Sequence, residues 1–224
     1  MEGPGLIFVT GGARSGKSTY AERLAAQLAE PRGRVTYLAT SEANDTEMAA
    51  RVVAHRAARP DSWSTVECSR EVPAAVRERA TGTDVFLLDC VTFWVSNLLL
   101  ADDAFGGTDP GDEFNYDKSL IPVAQERAAA GRVIACVDDL LEALAETGAT
   151  LVAVSNEVGL GVVPEYPLAR LYRDELGRAN QRLARAASHV YFLVSGYPLD
   201  VKALAASPLT SPATPPDLAK EPTP

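Results

Sequence analysis

The stretch that decides the fold of this 224-residue chain lies near its start, at residues 6–18, LIFVTGGARSGKS. Residues 6–10 form a short run of apolar, partly β-branched residues, which is typical of a buried strand. The pattern then changes, because Tyr20, Leu24 and Leu28 recur at the spacing that places them on one face of a helix. Between strand and helix, GGARSGKS fits the phosphate-loop pattern G-x-x-x-x-G-K-[ST].

A phosphate loop holds the phosphates of a nucleotide between a strand and a helix. Its glycines let backbone N–H groups turn toward a phosphate, and the helix N-terminus adds partial positive charge. Lys17 is predicted to act catalytically on the β- and γ-phosphates, and Ser18 to bind Mg²⁺. A glycine-rich turn that only packs a helix on a strand is the alternative, and the strand–loop–helix context disfavours it. The nucleotide-binding residues predicted in this loop are Gly11, Gly12, Ala13, Arg14, Ser15, Gly16, Lys17 and Ser18.

Apolar runs and helical patterns alternate along the rest of the chain. Further strands are predicted at residues 35–39, 84–88, 151–154 and 190–194. Further helices are predicted at residues 45–58, 71–80 and 167–187. Strands that are apolar along almost their whole length and separated by helices indicate a parallel sheet covered on both faces. The predicted fold class is therefore α/β, a P-loop NTPase with a mostly parallel sheet and helices on both faces.

Two segments fall outside this pattern. Residues 101–117 hold six acidic residues and no Lys or Arg, which indicates a flexible acidic loop. Seven of the fifteen prolines lie within residues 198–224, so that part is expected to be largely extended or disordered. We therefore predict a single P-loop α/β domain over residues 1–196 and a proline-rich C-terminal tail over residues 197–224.

Composition excludes several classes of protein. A net charge of −9 and a pI of about 4.8 argue against nucleic-acid binding through a basic surface. No apolar run is long enough to span a membrane, and no basic segment precedes the first apolar run as in a secretory signal. Three distant cysteines and two histidines predict neither a disulfide framework nor a structural zinc site. We expect a cytoplasmic protein with a local, specific site.

Asp89 directly follows the apolar residues of the strand predicted at 84–88. Ligands of α/β proteins gather at the carboxyl edge of the sheet, and an acid at this position resembles the Walker B aspartate that holds Mg²⁺. Asp89 is therefore predicted to bind Mg²⁺ directly or through water. Contact with the nucleotide or a second substrate, or a plain solvated acid at a strand end, remain alternatives.

His55 is the histidine that we predict to be catalytic. Arg51, His55 and Arg59 are spaced i, i+4, i+8 and share one face of the helix predicted at 45–58. Arginines can grip phosphate oxygens with two hydrogen bonds, and they keep a nearby imidazole neutral and able to attack phosphorus. A solvated Arg/His face is the alternative. His189 precedes a predicted strand and has no chemical partner near it in sequence, so we interpret it as a strand-edge residue.

Seven strings of residues resemble one known family. They are GGARSGKS at 11–18, YLAT at 37–40, EMAAR at 47–51, HRAARP at 55–60, DCVT at 89–92, SNEVGLGVVP at 155–164 and RDELGRANQR at 173–182. In this order, and over residues 6–195, they resemble the bifunctional adenosylcobinamide kinase/adenosylcobinamide-phosphate guanylyltransferases of cobalamin biosynthesis. The string at 155–164 is more specific to this family than the phosphate loop. The acidic loop and the proline-rich tail differ from the family pattern.

The resemblance implies two reactions on a corrinoid substrate, with GTP, ATP and Mg²⁺ as cofactors. A nucleoside triphosphate phosphorylates the aminopropanol hydroxyl of adenosylcobinamide. GTP then guanylylates a histidine, and the GMP passes to adenosylcobinamide phosphate, giving adenosylcobinamide-GDP. The family's nucleophilic histidine lies in a His/Arg-rich string before Arg-Pro, and it matches His55. Some members carry a second histidine just before it, where this chain has Ala54.

The resemblance also implies further contacts and an assembly. Beyond the phosphate loop, its guanine-nucleotide contacts fall on Thr40, Ser41, Arg56, Arg59, Glu67 and Asp89. Family members resemble RecA-type α/β domains and assemble as homotrimers. Asn156 and Glu157 lie in the most specific string, and neither residue chemistry nor the resemblance assigns them a role.

Three other functions stay open at this point. The chain could retain only the guanylyltransferase half, because one loop could serve both reactions. It could be a P-loop binding module or switch, which would not need His55. It could also be a small-molecule kinase unrelated to corrinoids, which fits the loop but not the string at 155–164.

Overall fold

The structure is a computed structural model, and it describes residues 5–41, 60–101 and 121–205. The strands in these ranges are β1 Leu6–Gly11, β2 Val35–Ala39, β3 Ser64–Glu67, β4 Val85–Asp89, β5 Thr150–Val154, β6 His189–Val194 and β7 Tyr197–Asp200. The helices are α1 Lys17–Leu28, α2 Val72–Arg79, α3 Val91–Leu100, α4 Val123–Thr147, α5 Pro167–Ala186 and α6 Val201–Leu204. One 3₁₀ turn, Ala80–Gly82, follows α2.

The seven strands form one sheet in the order β3-β2-β4-β5-β1-β6-β7. All neighbours pair in parallel except β6 and β7, which are antiparallel. The fold is thus the predicted α/β class with a mostly parallel sheet. None of the helices in the described ranges is both long enough and apolar enough to cross a membrane.

The sheet separates two apolar clusters. On one face, residues such as Phe8, Phe86 and Leu88 pack against the helices α2, α3, α4 and α5. On the other face, Val9 and Leu87 pack with the alanines of α1. Because alternate residues of one strand enter opposite clusters, the central strands are apolar at nearly every position, which is the pattern that predicted them.

Most of the predicted elements are confirmed to within two residues. The strand at 35–39 agrees fully, and the other predicted strands and the helices at 71–80 and 167–187 differ only at their ends. The helix predicted after the phosphate loop, from the spacing of Tyr20, Leu24 and Leu28, is α1. The sequence patterns do not predict β3, β7, α3, α4 or α6. The predicted helix at 45–58 lies outside the described residues, as does the acidic loop beyond residue 101.

Residues 197–204, which lie beyond the domain boundary predicted at 196, form the strand β7 and the helix α6. Ser195 and Gly196 have φ of 51° and 89°, and they form a two-residue turn in which Val194 pairs with Tyr197. Such turns with two positive φ values match the twist of a hairpin. Pro198 is compatible with β7 because this is an edge strand. Residues 206–224 lie outside the described part.

The loops that follow the central parallel strands meet at one edge of the sheet. Across this edge Glu67, Ala39, Asp89, Val154 and Val9 stand in register on neighbouring strands. The phosphate loop begins two residues beyond Val9, at the end of β1. The strand β5 therefore lies between the loop-bearing strand and the strand that ends in Asp89.

A first prediction concerns Gly11, at the junction of β1 and the loop. Its φ is +149°, and a Cβ there would lie 2.5 Å from the Leu193 carbonyl oxygen of β6. Gly11→Ala should therefore lower the free energy of unfolding by roughly 1–3 kcal/mol or more. Gly12→Ala is the matched control, because its Cβ would meet nothing within 4 Å. Urea denaturation measures both, and equal unfolding midpoints for the two variants would contradict the prediction.

Candidate nucleotide-binding site

The phosphate loop leaves β1 at Gly11 and enters α1 at Lys17. Arg14 and Gly16 adopt positive φ, 55° and 92°, which curls the backbone between the strand and the helix. The Gly196 N–H donates a hydrogen bond of 2.9 Å to the Ser15 carbonyl, and a Cβ on Gly16 would lie 3.4 Å from the Gly196 Cα. The turn between β6 and β7 therefore contacts the phosphate loop and supports its backbone.

Lys17 lies inside this loop and is only 8% exposed. Its Nζ donates a hydrogen bond of 2.6 Å to the carbonyl oxygen of Gly12. Burial lowers the pKa of the Lys17 ammonium, and the neighbouring Cys90 and Asp89 oppose that shift. A partly desolvated ammonium interacts more strongly with an incoming anion than one in bulk water does. The single lysine of the loop is thus buried against the loop's own backbone.

The other loop residues suit an anion as well. The Ser15 hydroxyl is buried and has no hydrogen-bond partner among the described residues. Gly12, Ala13 and Arg14 are exposed, and Ser18 is half-buried in the first turn of α1. The N–H groups of that first turn have no partner within the helix, so they are available to a phosphate.

Asp89 ends β4 at the same edge. The Tyr37 hydroxyl donates a hydrogen bond of 3.1 Å to Asp89 Oδ2. Asp89 on β4 and Val9 on β1 lie in register two strands apart in the sheet. Their backbones are therefore separated by two strand spacings, about 10 Å. The Asp89 carboxylate is nevertheless close enough to raise the pKa of the Lys17 ammonium, against the effect of burial.

The donor set at this edge fits Mg²⁺ better than a metal held by protein alone. Among the described residues there is no cluster of three or more His, Cys, Asp or Glu side chains able to hold a metal. Mg²⁺ commonly uses one or two protein oxygens together with waters and substrate phosphates. The Asp89 carboxylate and the Ser18 hydroxyl are oxygens of that kind.

Thr40 has a structural role that the sequence did not reveal. Its side chain is fully buried, and its hydroxyl donates to the Cys90 carbonyl (2.7 Å) and accepts from the Cys90 N–H (2.9 Å). Asn97 of α3 adds a hydrogen bond of 2.8 Å to the Thr40 carbonyl. These bonds tie the end of β2 to the turn that follows Asp89. A contact between Thr40 and the nucleotide stays a prediction.

The remaining predicted contacts are spread along this edge or lie outside the description. Ser41 is half-buried just beyond β2, and Glu67 is exposed at the end of β3, in register with Ala39. His55, Arg56 and Arg59 lie outside the described residues. The structure therefore brings the phosphate loop and Asp89 together. The helix face with Arg51, His55 and Arg59 remains a prediction.

The string at 155–157 lies between the phosphate loop and α3. The Glu157 N–H donates a hydrogen bond of 3.1 Å to the Gly11 carbonyl, and the Asn156 N–H donates one of 3.0 Å to Thr92 Oγ1. On the other side, Ser155 Oγ donates to Asn180 Oδ1 (2.6 Å), and Asn180 Nδ2 donates to the Asn156 carbonyl (3.0 Å). This string is therefore fixed from β1, α3 and α5.

Sequence reasoning assigned no role to Thr92 or Asn180. Thr92 belongs to the string DCVT and Asn180 to the string RDELGRANQR. The family resemblance therefore included both residues but did not say what they do. The structure shows that each positions the backbone beside the phosphate loop. Their partners lie 64 and 24 residues away along the chain, and only the folded sheet brings them together.

Fold and site together define a P-loop α/β protein with a nucleotide site at the carboxyl edge of its sheet. Residues 7–201 match the family described as "Cobinamide kinase / cobinamide phosphate guanyltransferase". The chain belongs to this family, and it is accordingly an enzyme of the bifunctional kinase and guanylyltransferase class. That membership decides against a non-catalytic nucleotide module and against an unrelated small-molecule kinase.

Individual relatives agree with this assignment. The chain is 42% identical over 201 residues to the bifunctional adenosylcobalamin biosynthesis protein CobU of Salmonella typhimurium, covering 88% of this chain and 99% of that protein. It is 40% identical over 195 residues to CobP of Pseudomonas aeruginosa, covering 87% of this chain and 96% of that protein.

Among solved structures, the flagellar accessory protein FlaH of Methanocaldococcus jannaschii aligns with a TM-score of 0.46 at 14% identity, over 88% of this chain and 76% of that one.

A second prediction separates the two roles of Thr40. Thr40→Val removes both hydrogen bonds to the buried Cys90 backbone, so the free energy of unfolding should fall by about 1–3 kcal/mol. Thr81→Val, at an exposed position, is the control and should change little. Thermal unfolding and GTP titration are measured together. Weaker GTP binding with an unchanged melting temperature would instead make Thr40 a nucleotide contact.

Proposed function

We propose that this enzyme catalyses both reactions for which its family is named, with adenosylcobinamide and its phosphate as substrates. We further propose that GMP transfer passes through a covalent bond to His55. The nucleotides are GTP for the transfer and GTP or ATP for the kinase. The observation that carries the proposal is the buried Lys17 in a phosphate loop beside Asp89, in a chain that matches the family over residues 7–201.

In the kinase reaction, the aminopropanol hydroxyl oxygen attacks the γ-phosphorus of a nucleoside triphosphate. The bond between the γ-phosphorus and the bridging oxygen breaks, the hydroxyl loses its proton, and the nucleoside diphosphate leaves. Lys17 and the N–H groups at the start of α1 stabilise the negative charge on the phosphate oxygens. Ser18 and Asp89 would hold Mg²⁺, which when bound neutralises charge on the phosphates.

In the guanylyltransferase reaction, a ring nitrogen of His55 attacks the α-phosphorus of GTP. The bond to the leaving pyrophosphate breaks, and GMP remains on the enzyme as a phosphoramidate. An oxygen of adenosylcobinamide phosphate then attacks the same phosphorus, and the P–N bond breaks and restores the histidine. Support comes from the Arg51/His55/Arg59 spacing, from the match to the family's string and from the absence of a second histidine at Ala54. Such two-step transfer gives ping-pong kinetics.

The assembly and the compartment are part of the same proposal. The resemblance implies a homotrimer, which light scattering at micromolar concentration would measure, and a monomeric mass would contradict it. A cytoplasmic location remains a prediction from composition. The net charge of −9 supports the expectation that nucleic acid is not a partner.

A third prediction tests the covalent step. His55→Ala should abolish labelling of the protein by α-³²P-GTP with Mg²⁺ and should abolish guanylyl transfer, because the nucleophile is gone. His189→Ala is the matched control: His189 begins β6 and pairs with Asp200, and this variant should label normally. The label should be acid-labile and base-stable, as a histidine phosphoramidate is. Mass spectrometry that finds GMP on another residue of the native enzyme would overturn the assignment.

A separate assay, in which γ-³²P-labelled triphosphate is followed into adenosylcobinamide phosphate, decides whether the kinase half is retained. The His55→Ala protein should still phosphorylate adenosylcobinamide, because that step needs no histidine nucleophile. A native enzyme that transfers GMP but forms no adenosylcobinamide phosphate would leave only the guanylyltransferase function.

A fourth prediction concerns Lys17. Lys17→Ala should lower the rates of both reactions by roughly 10²-fold or more, the loss expected for one preorganised charge donor. Lys202→Ala is the control, because the Lys202 ammonium bonds to the Arg185 and Ala187 carbonyls. These residues precede the start of β6, at the amino ends of the strands and away from the phosphate loop. Steady-state rates for the two half-reactions test this. Native rates in the Lys17 variant would show that the loop does not hold the reacting phosphates.

A further inference from the structure

A short run of residues beside the phosphate loop exposes large apolar side chains that the fold does not use. Residues 159–163, which we call the aliphatic loop, have the sequence GLGVV. Leu160 is 82% exposed, Val162 92% and Val163 66%. Single exposed apolar residues are ordinary, but three within four positions next to a substrate site mark a surface that binds something.

Both ends of the aliphatic loop are anchored. At its start, the Gly159 N–H donates a hydrogen bond of 2.6 Å to Glu157 Oε1, and the Glu157 N–H is bonded to the Gly11 carbonyl of the phosphate loop. Beyond its end, Arg170 of α5 donates hydrogen bonds to the carbonyls of Pro164 and Glu165. The exposed side chains are therefore carried on a fixed support and not on a free end.

The anchor places the aliphatic loop within reach of the reacting phosphates. Leu160 follows Glu157 by three residues, so their Cα atoms are no more than about 11 Å apart. Glu157 itself contacts the first residue of the phosphate loop. A substrate whose hydroxyl arm reaches the γ-phosphate would carry its bulky part several ångströms away, at about the distance of the aliphatic loop.

We propose that the aliphatic loop binds the corrin macrocycle of the acceptor substrate, through contact with the ring's apolar, methyl-bearing rim. This inference rests on the proposed function, because it takes cobinamide as the acceptor. The phosphate loop suits the reacting phosphates, and the aliphatic loop suits the apolar ring of the substrate. Lys17 serves phosphate, whereas residues 158–164 carry no charge in a chain with 23% charged residues.

The test uses a double variant of the full-length enzyme. Leu160→Ser/Val162→Ser makes two exposed positions polar, so its melting temperature should equal that of the native enzyme. Leu204→Ser is the matched control, since Leu204 is 71% exposed on α6. That helix lies at the opposite edge of the sheet, where Lys202 bonds to Ala187 ahead of β6.

Equilibrium dialysis, with cobinamide measured by its own absorbance, gives the dissociation constant of the complex between enzyme and cobinamide. The double variant should raise it by about tenfold or more, the loss expected for two apolar contacts. Labelling of the enzyme by α-³²P-GTP should stay at the native level, because it does not require the corrinoid. The Leu204→Ser protein should match the native enzyme in both assays.

Three outcomes would overturn the inference, and they are distinguishable. If the native enzyme does not bind cobinamide, the proposed function itself fails and the inference fails with it. If the native enzyme binds and the double variant binds equally well, the aliphatic loop is not the macrocycle site and the proposed function stands. If light scattering shows a smaller particle for the double variant, the aliphatic loop is a contact between copies of the chain.

Discussion

The close approach of Gly11 to the backbone of β6 is the constraint on which the site depends. The Gly11 Cα faces the Leu193 carbonyl so tightly that a Cβ would come within 2.5 Å of it. The Gly11 carbonyl accepts a hydrogen bond from the Glu157 N–H, so one residue joins the phosphate loop to β6 and to the segment that follows β5. The direction in which the loop leaves the sheet, and hence the position of Lys17, follows from this junction.

The electrostatics of the site balance burial against charge. Burial lowers the pKa of Lys17, Asp89 and Cys90 counteract that effect, and the Gly12 carbonyl satisfies the ammonium. Thr40 and Asn97 hold the turn after Asp89 by hydrogen bonds to backbone atoms. Charged groups on such a support need little reorganisation when a triphosphate arrives, which is what makes preorganised sites effective.

Sequence reasoning found the parts of the fold that are marked by local chemistry. Strands buried on both faces are apolar at nearly every position, and the phosphate loop has a fixed spacing, so both could be predicted. The helix α3 (VTFWVSNLLL) is apolar on almost every side, and therefore lacks the periodic polar face that identifies a helix. In β3 only four residues take part, and none of them is buried.

The strand β7 was hidden by Pro198 and by the short Ser-Gly turn before it, yet that turn supports Ser15 of the phosphate loop. The roles of Thr92 and Asn180 arise from contacts that are distant in sequence, and no local pattern marks them. What local patterns miss here is the support around the site, whereas the groups proposed to do the chemistry are largely visible. The histidine face is a prediction that the described residues do not test.

In the proposed function, one phosphate loop serves two reactions at different phosphorus atoms, and this constrains how the site can work. On the proposed route, Lys17 and the start of α1 hold a triphosphate in the same way whichever bond will break. The choice between the α- and γ-phosphorus must then come from the nucleophile that is brought to each. On the proposed route, His55 attacks the α-phosphorus from a segment beyond β2, while the acceptor hydroxyl approaches the γ-phosphorus from the side of residues 159–163. Separate delivery of the two nucleophiles to one fixed triphosphate would allow a single small domain to carry both proposed activities.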